Sequence, residues 1–278
     1  MTTNPKRKNS ALYLSLTGIA SALTGGSVAL AQLPQNEGWS VSAGFGEIFS
    51  PTYLGDDAYQ LSVLPNIEVR YGNTLSIGVR GIQYTAIDHK GWTLGPVARL
   101  GFGRGEDGSN PFVIGGPDTD DLDGLGEIDP SVEFGGFVGY KLGKVSTSFE
   151  LRKGVGGHTG VLGDVGIRYN DFVIWRGKPL IYTFGPSLSF ANEEFNDTFF
   201  GIDTGQSSAS GLGAFEAGGG VNSYGFDVSV VRPLTKRISM VFFASYDELQ
   251  GDIADSPLVV ERGSRDQGTA GIFYSYRF

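Results

Sequence analysis

The sequence predicts an all-β protein, an antiparallel transmembrane β-barrel of about 12 strands that follows a cleaved signal peptide. Three observations support this prediction. Segments of about ten residues alternate apolar and polar side chains, as tilted membrane strands do. The chain holds 44 Gly, 19 Phe and 12 Tyr, and its long connections all fall on one side of the predicted sheet. Glycine disfavours helices, whereas aromatic side chains suit strands and the interfacial girdles of membrane barrels.

The N-terminus has the pattern of an export signal. Residues 6–8 are basic (Lys-Arg-Lys), residues 11–28 are mostly apolar or small, and residues 29–31 (Ala-Leu-Ala) have the small-x-small form of a cleavage site. The alternative is an uncleaved transmembrane anchor, which the Ser and Thr residues scattered through the apolar stretch disfavour. We therefore predict a signal peptide over 1–31 and a single barrel domain over 32–278.

Charge and cysteine content exclude several classes of protein. The net charge is −9 and the chain has no Cys. A nucleic-acid-binding protein would favour a basic footprint, so we predict no nucleic-acid partner. Without cysteine, the chain has neither a disulfide framework nor the lipid-modified cysteine of a lipoprotein. No window after the signal is apolar enough for a transmembrane helix, which leaves a periplasmic, secreted or barrel protein.

The strand prediction rests on eleven alternating segments. In the third of them the apolar phase shifts at Gly81, which indicates a β-bulge. With both termini in the periplasm the strand number must be even, so we expect one more strand before residue 104, around Gly81. We predict twelve strands, with ten as the fallback. The segments cover 38–49, 59–71, 74–87, 91–103, 131–142, 145–155, 160–170, 179–190, 221–232, 236–247 and 268–278.

The last segment shows the alternation in its simplest form. Side chains of a strand alternate between its two faces. One face is polar or small at Thr269, Gly271, Ser275 and Arg277, with Phe273 as the exception. The other face is apolar throughout, at Ala270, Ile272, Tyr274, Tyr276 and Phe278. This pattern fits a strand with lipid on one side and a polar lumen on the other.

The connections fall into two classes. Short turns join the segments at 71–74, 142–145 and 232–236. The long stretches are polar and either acidic or glycine-rich, and all of them follow an even-numbered segment; they cover 104–130, 191–220 and 248–267. Because barrels have short periplasmic turns and long external loops, these three stretches are predicted to lie outside the cell.

Charged residues on the inward faces predict a lumenal charge network. Both signs occur, often two residues apart on one strand, and a charge facing lipid would cost about 2–4 kcal/mol at the midplane. Two interpretations remain open: a pore or ligand-selecting lumen, and a plugged lumen whose charges pair with each other. The candidate residues are Glu68, Arg70, Arg80, Arg99, Glu150, Arg152, Asp164, Arg168, Asp227 and Arg277.

Neither catalysis nor a cofactor is predicted. His89 and His158 are the two histidines, and each lies in a turn; the glycines around His158 should hold its side chain poorly. The chain has no Gly-x-Ser-x-Gly nucleophile motif. Residues 118–127 cluster five carboxylates, but their spacing does not fit an EF-hand, so a solvated acidic loop is preferred to a calcium site. No metal site is predicted.

The sequence resembles the MltA-interacting protein (MipA/OmpV) family of Gram-negative outer membranes. The resemblance covers essentially the whole mature chain, and the order of the matching pieces makes it fairly specific. The best-matching piece is a strand end and loop over 246–259, YDELQGDIADSPLV. The others are PTYLGD at 51–56, GR at 103–104, LDGLG at 122–126, FFGI at 199–202 and ASGL at 209–212.

The resemblance implies a barrel of the cell outer membrane, in contact with lipid and lipopolysaccharide and without catalytic activity. It also implies a scaffold that brings a lytic transglycosylase and a murein synthase together during peptidoglycan growth. Other family members are treated as surface antigens or adhesins, so an adhesin and a small-solute pore remain alternatives. Phe278 is then the C-terminal aromatic residue expected to act as the signal for outer-membrane assembly.

Overall fold

The computed structural model describes residues 38–106, 108, 112–117 and 119–278. The predicted signal peptide, 1–31, lies outside these residues. The described chain is mostly antiparallel strand, as the alternating pattern predicts. Its strands are β1 (Trp39–Pro51), β2 (Tyr59–Tyr71), β3 (Leu75–Gly78), β4 (Gly81–Tyr84), β5 (Ile87–His89), β6 (Trp92–Gly101), β7 (Val113–Gly115), β8 (Ser131–Leu142), β9 (Val145–Gly156), β10 (Val161–Trp175), β11 (Lys178–Ala191), β12 (Gly220–Pro233), β13 (Ile238–Leu249) and β14 (Asp266–Arg277).

The strands close into a barrel because β1 pairs with β2 on one side and with β14 on the other. All pairings are antiparallel, and the order around the barrel follows the chain except for two short accessory strands. β5 pairs only with β6, and β7 pairs only with β2 among the described strands. The remaining twelve strands form the wall, which confirms the predicted barrel and its strand number.

The predicted segment 74–87 is two strands, and this split makes the strand number even. β3 and β4 are strands of four residues each, and they form a hairpin that turns at Val79 and Arg80. The predicted bulge at Gly81 was wrong, because this residue begins β4 directly after the turn. Its φ of 108° is a left-handed conformation that glycine tolerates best. A Cβ there would also lie 2.0 Å from the carbonyl oxygen of Ala98.

In the described parts of the long connections there are four short helices: α1 (Glu193–Phe200), α2 (Thr204–Ser210), α3 (Gly251–Asp255) and α4 (Pro257–Arg262). The Asn192 side chain caps α1 by accepting a hydrogen bond from the backbone N–H of Phe195. Asp203 and Gln206 form a reciprocal capping box at the start of α2. No helix among the described residues is long and apolar enough to cross a membrane.

The long connections meet at one end of the barrel, as predicted, but they are not simply polar loops. Residues 52–58, 119–130, 192–219 and 250–265 pack into a compact layer, here called the cap. Its interior consists of two clusters of buried apolar side chains, and burial of this kind is the main stabilising term of a folded unit. The clusters contain Tyr53, Leu122, Leu125, Ile202, Leu212 and Leu258, and Phe200, Ala217, Leu249, Ile253, Ala254 and Val259.

Aromatic side chains mark the opposite end of the barrel, where the strands are joined by short turns. Trp39 packs on Tyr71 with ring centroids 5.1 Å apart, and Trp92 packs on Tyr140 at 4.6 Å. These rings face outward and are at least partly exposed, as in the interfacial girdle of a membrane barrel. Between this girdle and the cap, the outward positions are mostly apolar and exposed, and they form the surface that contacts lipid.

Candidate functional site: the lumen and its two ends

The inward side chains divide the lumen into two unlike halves. One half is formed by β11 to β14 with β1 and β2, and it carries a buried apolar cluster, here called the apolar wall. Phe243 stacks on Phe273 at its centre, with ring centroids 5.9 Å apart. The members of the apolar wall are Ile48, Leu64, Ile181, Val231, Val241, Phe243 and Phe273.

The other half, formed by β4, β6 and β8 to β10, is here called the charged wall. The Arg99 guanidinium donates two hydrogen bonds to Glu150, Nε to Oε1 at 2.9 Å and Nη2 to Oε2 at 2.7 Å. Arg152 donates to Glu133 at 2.8 Å and to Asp164 at 2.5 Å. Such charge-assisted and bidentate pairs are the strong hydrogen bonds of proteins. The Arg99–Glu150 pair joins β6 to β9 across β8, and Arg152 links β9 to its neighbours β8 and β10, so together they brace the barrel from inside.

A second pair lies where the two halves of the lumen meet. The Arg168 guanidinium of β10 donates to the Asp227 carboxylate of β12, and both side chains are buried. The same guanidinium donates to the backbone carbonyl of Pro186 on the intervening strand at 2.6 Å. This arrangement ties three strands together through one side chain.

The other candidate residues lie on β2, at the tip of the β3–β4 hairpin and at the rim of the barrel. On β2 the Arg70 guanidinium pairs with the Glu68 carboxylate at 2.7 Å. Arg80 lies in the β3–β4 turn and lines the main cavity. Arg277 lies apart from the charged wall, at the barrel rim, where it donates to the carbonyl oxygen of Lys236 at 3.2 Å. The structure therefore brings eight of the ten candidates into three sets of ion pairs and places Arg277 elsewhere.

Sequence reasoning missed several members of the charged wall. Glu133 was missed although its alternation on β8 places it inward, and Gln83 accepts a hydrogen bond from Arg99 at 2.9 Å. The expectation that the glycine-rich turn holds His158 poorly was wrong. This histidine is only 4% exposed; its Nε2 lies 3.2 Å from Glu133 Oε1, and its ring packs edge-on against Phe195 at 5.0 Å.

Among the described residues, the lumen contains a larger and a smaller cavity. The larger has a volume of about 540 Å³ and extends from the short-turn rim, at Gly72 and Gly91, to the ion pairs at Glu150 and Asp164. The smaller, of about 120 Å³, lies between these ion pairs and the cap, and Tyr53 is part of its lining. The volume of the larger cavity falls within the range usual for small-molecule sites.

Buried arginines tie the segments of the cap to each other. Arg104 Nη1 donates to the carbonyl oxygen of Phe199 at 2.6 Å, and burial lowers the pKa of its guanidinium to about 10. Arg262 donates to the carbonyl oxygen of Asp121 at 2.6 Å and also to that of Ser210. Since these bonds connect three separate loops, the cap folds as one unit over the end of the barrel.

The acidic stretch 118–127 belongs to this cap. Leu122 and Leu125 are buried in its core, and they anchor the stretch against α2 and α4. Asp118 lies outside the described residues. Among the residues that are described, no group of three or more His, Asp or Glu side chains is arranged to hold a metal ion.

Cationic side chains concentrate at the short-turn end. Here they form a set called the basic rim, whose side chains are mostly exposed. Few carboxylates lie near it; one is Asp171, which pairs with Lys144 at 2.5 Å. Arg176 and Arg232 lie over the ring of Trp175, at 4.8 and 4.2 Å from its centroid. The basic rim consists of Lys90, Lys141, Lys144, Arg176, Lys178, Arg232, Lys236, Arg237 and Arg277.

A comparison with models of protein families identifies the relatives of this barrel. The model described as "MltA-interacting protein MipA" matches residues 43–278, which is most of the chain and all of the described barrel from the middle of β1 onward. The chain belongs to this family. Family membership confirms the resemblance found in the sequence, and together with the closed barrel it places the protein in the outer membrane. Because outer-membrane barrels have short periplasmic turns and long external loops, we assign the short turns and the basic rim to the periplasm and the cap to the outside.

Solved structures with a similar arrangement are outer-membrane proteins of low sequence identity. The COG4313 outer membrane channel from Pseudomonas putida F1 is 12% identical, with 89% of this chain and 98% of that chain covered and a TM-score of 0.45. The β domain of the Bordetella autotransporter BrkA is 11% identical, with 87% and 100% covered and a TM-score of 0.39. Both likenesses are distant in sequence and in structure. No curated protein matches the chain significantly.

Proposed function

We propose that the protein is a non-enzymatic scaffold of the outer membrane, whose periplasmic end binds enzymes of peptidoglycan synthesis and turnover. The observation that carries the proposal is the difference between the two ends of the barrel. The external end is covered by a cap with its own apolar core. The periplasmic end presents the exposed basic rim and the mouth of the main cavity.

The family's description supports a protein partner, because it names MltA as what its members interact with. A lytic transglycosylase such as MltA, and a murein synthase held beside it, would work on the periplasmic side, which the basic rim faces. Exposed charges of one sign favour partners with the opposite sign and speed their association. The partner surface that fits this rim is therefore acidic.

The cap favours the scaffold over the pore alternative. A pore needs a continuous path through the lumen, and here such a path would have to pass both the ion pairs of Arg99 and Arg152 and the packed cap. If the protein is a scaffold, we expect no discrete conductance steps in planar bilayers. Discrete open steps that change after charge reversal at Arg99 would favour the pore.

Site-specific crosslinking tests the scaffold directly. A photoreactive residue in place of Lys236, in a periplasmic turn, should crosslink a lytic transglycosylase or a murein synthase in native envelopes. The same residue in place of Val260, exposed on α4 of the cap, is the matched control and should not crosslink these enzymes. Reversal of two rim charges, Lys90→Glu with Lys236→Glu, should weaken the capture in a salt-dependent way. Absence of both enzymes from the Lys236 crosslinks would overturn the proposal.

A further inference from the structure

Among the described strands, the ladder of the barrel wall is interrupted at one place, next to the main cavity. From the end with the short turns, the β3–β4 hairpin extends toward the cap only as far as Glu68 on β2 and Arg99 on β6, where its tip pairs with these strands. Above the tip, β7 adds to the edge of β2 at Leu61 and Ser62. Since β7 pairs with no second strand among those described, no ladder joins β2 to β6 above the hairpin. This gap is here called the seam.

The sequence of β2 is adapted to an edge exposed to lipid. Val63 donates its backbone N–H to the carbonyl oxygen of Phe112, at 2.8 Å, so the odd-numbered residues of β2 direct their backbone groups to the seam. Pro65, in the middle of β2, is the next odd-numbered residue after Val63, so its backbone nitrogen also faces the seam. Because proline has no N–H, no backbone donor is left without a partner there. Proline in sheets is confined largely to edges of this kind.

The side chains around the seam place it in the membrane. Ile114 on β7 is 64% exposed, Ile67 on β2 is 56% exposed, and Val79 at the hairpin tip is 40% exposed. All three are apolar, and the middle of β2 lies between the two ends of the barrel. The seam therefore opens toward the hydrocarbon region and not toward water.

Behind the seam lies the boundary between the two halves of the lumen. On the β2 side of the seam the lumen is lined by the apolar wall, of which Leu64 is the first residue. On the β6 side it is lined by the charged wall, of which Arg99 is the first residue. The main cavity touches both walls, as well as the tip residues Gly78 and Gly81. A molecule that passes through the seam would meet an apolar surface on one side and hydrogen-bonding charges on the other.

We propose that the main cavity binds an uncharged or zwitterionic single-chain amphiphile, taken from the bilayer through the seam between β2 and β6. The hydrocarbon chain lies against Val241, Phe243 and Phe273, which line the cavity, and the polar head group meets the charged wall. The cavity's carboxylates and cationic side chains are equal in number, which matches a head group without net charge. The site does not depend on the proposed scaffold function.

Paired labels on β13 test occupancy of the cavity. Because the chain has no Cys, single cysteines can be placed without background. Val241→Cys puts a small trifluoromethyl label in the cavity, whereas Phe242→Cys puts the same label on the lipid-facing side, one residue further along the strand. The probe is lysophosphatidylcholine with a nitroxide on its acyl chain, added to phosphatidylcholine vesicles that contain the barrel.

The nitroxide should broaden the ¹⁹F line at both positions if the proposal is correct. Broadening at position 242 without broadening at position 241 would overturn it, because the chain would then contact only the outer surface. If Val241→Cys does not fold, Ser275→Cys offers a second label on the cavity lining.

A disulfide across the seam tests the route. Leu61 and Gly115 are register partners on β2 and β7, and a Cβ added at Gly115 meets no atom within 4 Å. β7 lies in the seam and is held there by its short pairing with β2, so entry past it requires β7 to move away from β2. Oxidation of Leu61→Cys with Gly115→Cys prevents this movement and leaves the thiol at position 241 free for the label. The matched control is Thr147→Cys with Ile167→Cys, register partners in the complete part of the wall.

Fixing β7 should abolish the broadening at position 241, and reduction of the disulfide should restore it. The control disulfide should leave the broadening unchanged. Broadening that persists in the oxidised seam variant would overturn the lateral route, because the amphiphile would then reach the cavity from the periplasmic mouth.

Discussion

The two carboxylate oxygens of Glu150 accept two hydrogen bonds from the guanidinium of Arg99, at 2.9 and 2.7 Å, across the inner face of β8. Both side chains are largely buried in the lumen. The pair therefore joins β6 to β9 without help from the backbone ladder, and it closes the top of the main cavity.

Removal of one partner should leave a buried charge unpaired. We expect Glu150→Ala to lower the free energy of unfolding by about 3 kcal/mol, as for other broken buried pairs. Denaturant unfolding in detergent micelles, followed by tryptophan fluorescence, measures this loss. The control is Lys144→Ala, which breaks the exposed pair with Asp171 and should cause no measurable loss. Equal stability of the Glu150→Ala and wild-type proteins would contradict the bracing role.

The cap should lose its fold when its core is opened. Leu258 of α4 is 1% exposed, so Leu258→Ala should destabilise the cap by about 3 kcal/mol. Proteinase K added to whole cells should then cleave within 192–219 or 250–265, while the barrel strands stay protected. Val260→Ala on the same helix changes a side chain that is 61% exposed and should leave the cap resistant. Cleavage at equal rates in both variants would show that the cap has no cooperative core.

The stability of the cap should depend on pH through Asp56. Burial raises the pKa of this carboxyl above its unfolded value, against the opposing effect of the hydrogen bond from the Thr52 hydroxyl. The folded state thus binds the proton more tightly than the unfolded state. The stabilisation is complete below the unfolded pKa of about 3.9 and is lost as the pH rises through the folded pKa.

Asp56→Asn removes this titration while keeping a similar shape. At neutral pH we expect the variant to be more resistant to protease than the wild type, and the advantage should vanish at low pH. Glu261→Gln, at an exposed position on α4 of the cap, is the control and should not alter the pH profile. A wild-type cap that becomes more stable between acidic and neutral pH would contradict the expected sign.

Phe278 is predicted to be needed for assembly in the membrane. It is 74% exposed, its backbone N–H donates to the carbonyl oxygen of Val41 at 3.0 Å, and its ring packs edge-on against Tyr276. Deletion of Phe278, or Phe278→Asp, should lower the amount of folded barrel in the outer membrane far more than Val260→Asp in the cap does. Phe195 would be a poor control, because it is buried against His158 and not free in a loop. Equal amounts of the two variants would remove the assembly role.

Much of the fold could be predicted because the side chains of a membrane strand alternate between lipid and lumen, so apolar and polar residues alternate in the sequence. Side chains on β14 alternate between lipid and lumen, and the same rule placed Arg99, Glu150 and Arg152 inward before any contact was known. Alternation alone did not predict the β3–β4 hairpin as two strands, although the phase shift at Gly81 marked its position. A four-residue strand is too short to show a period, and its turn at Val79 and Arg80 continues the apolar pattern.

The partners of each charge could not be read from the strands. Alternation shows that Arg152 faces inward, but its contacts with Glu133 and Asp164 depend on the stagger of three strands around the barrel. His158 was misjudged for a related reason. Glycines around it allow the chain to turn, but its ring is buried against Phe195, which lies on α1 and is distant in the sequence.

The sequence by itself determined the class of fold, which long connections share one end of the barrel and the family, because these follow from local patterns of alternation, turn length and motif order. Only the tertiary structure decided that the long connections form a cap with an apolar core, that the lumen has an apolar and a charged wall, and that no described ladder joins β2 to β6 above the β3–β4 hairpin. These features depend on which distant residues meet when the sheet closes. Closure is a property of the whole barrel, and no single segment encodes it.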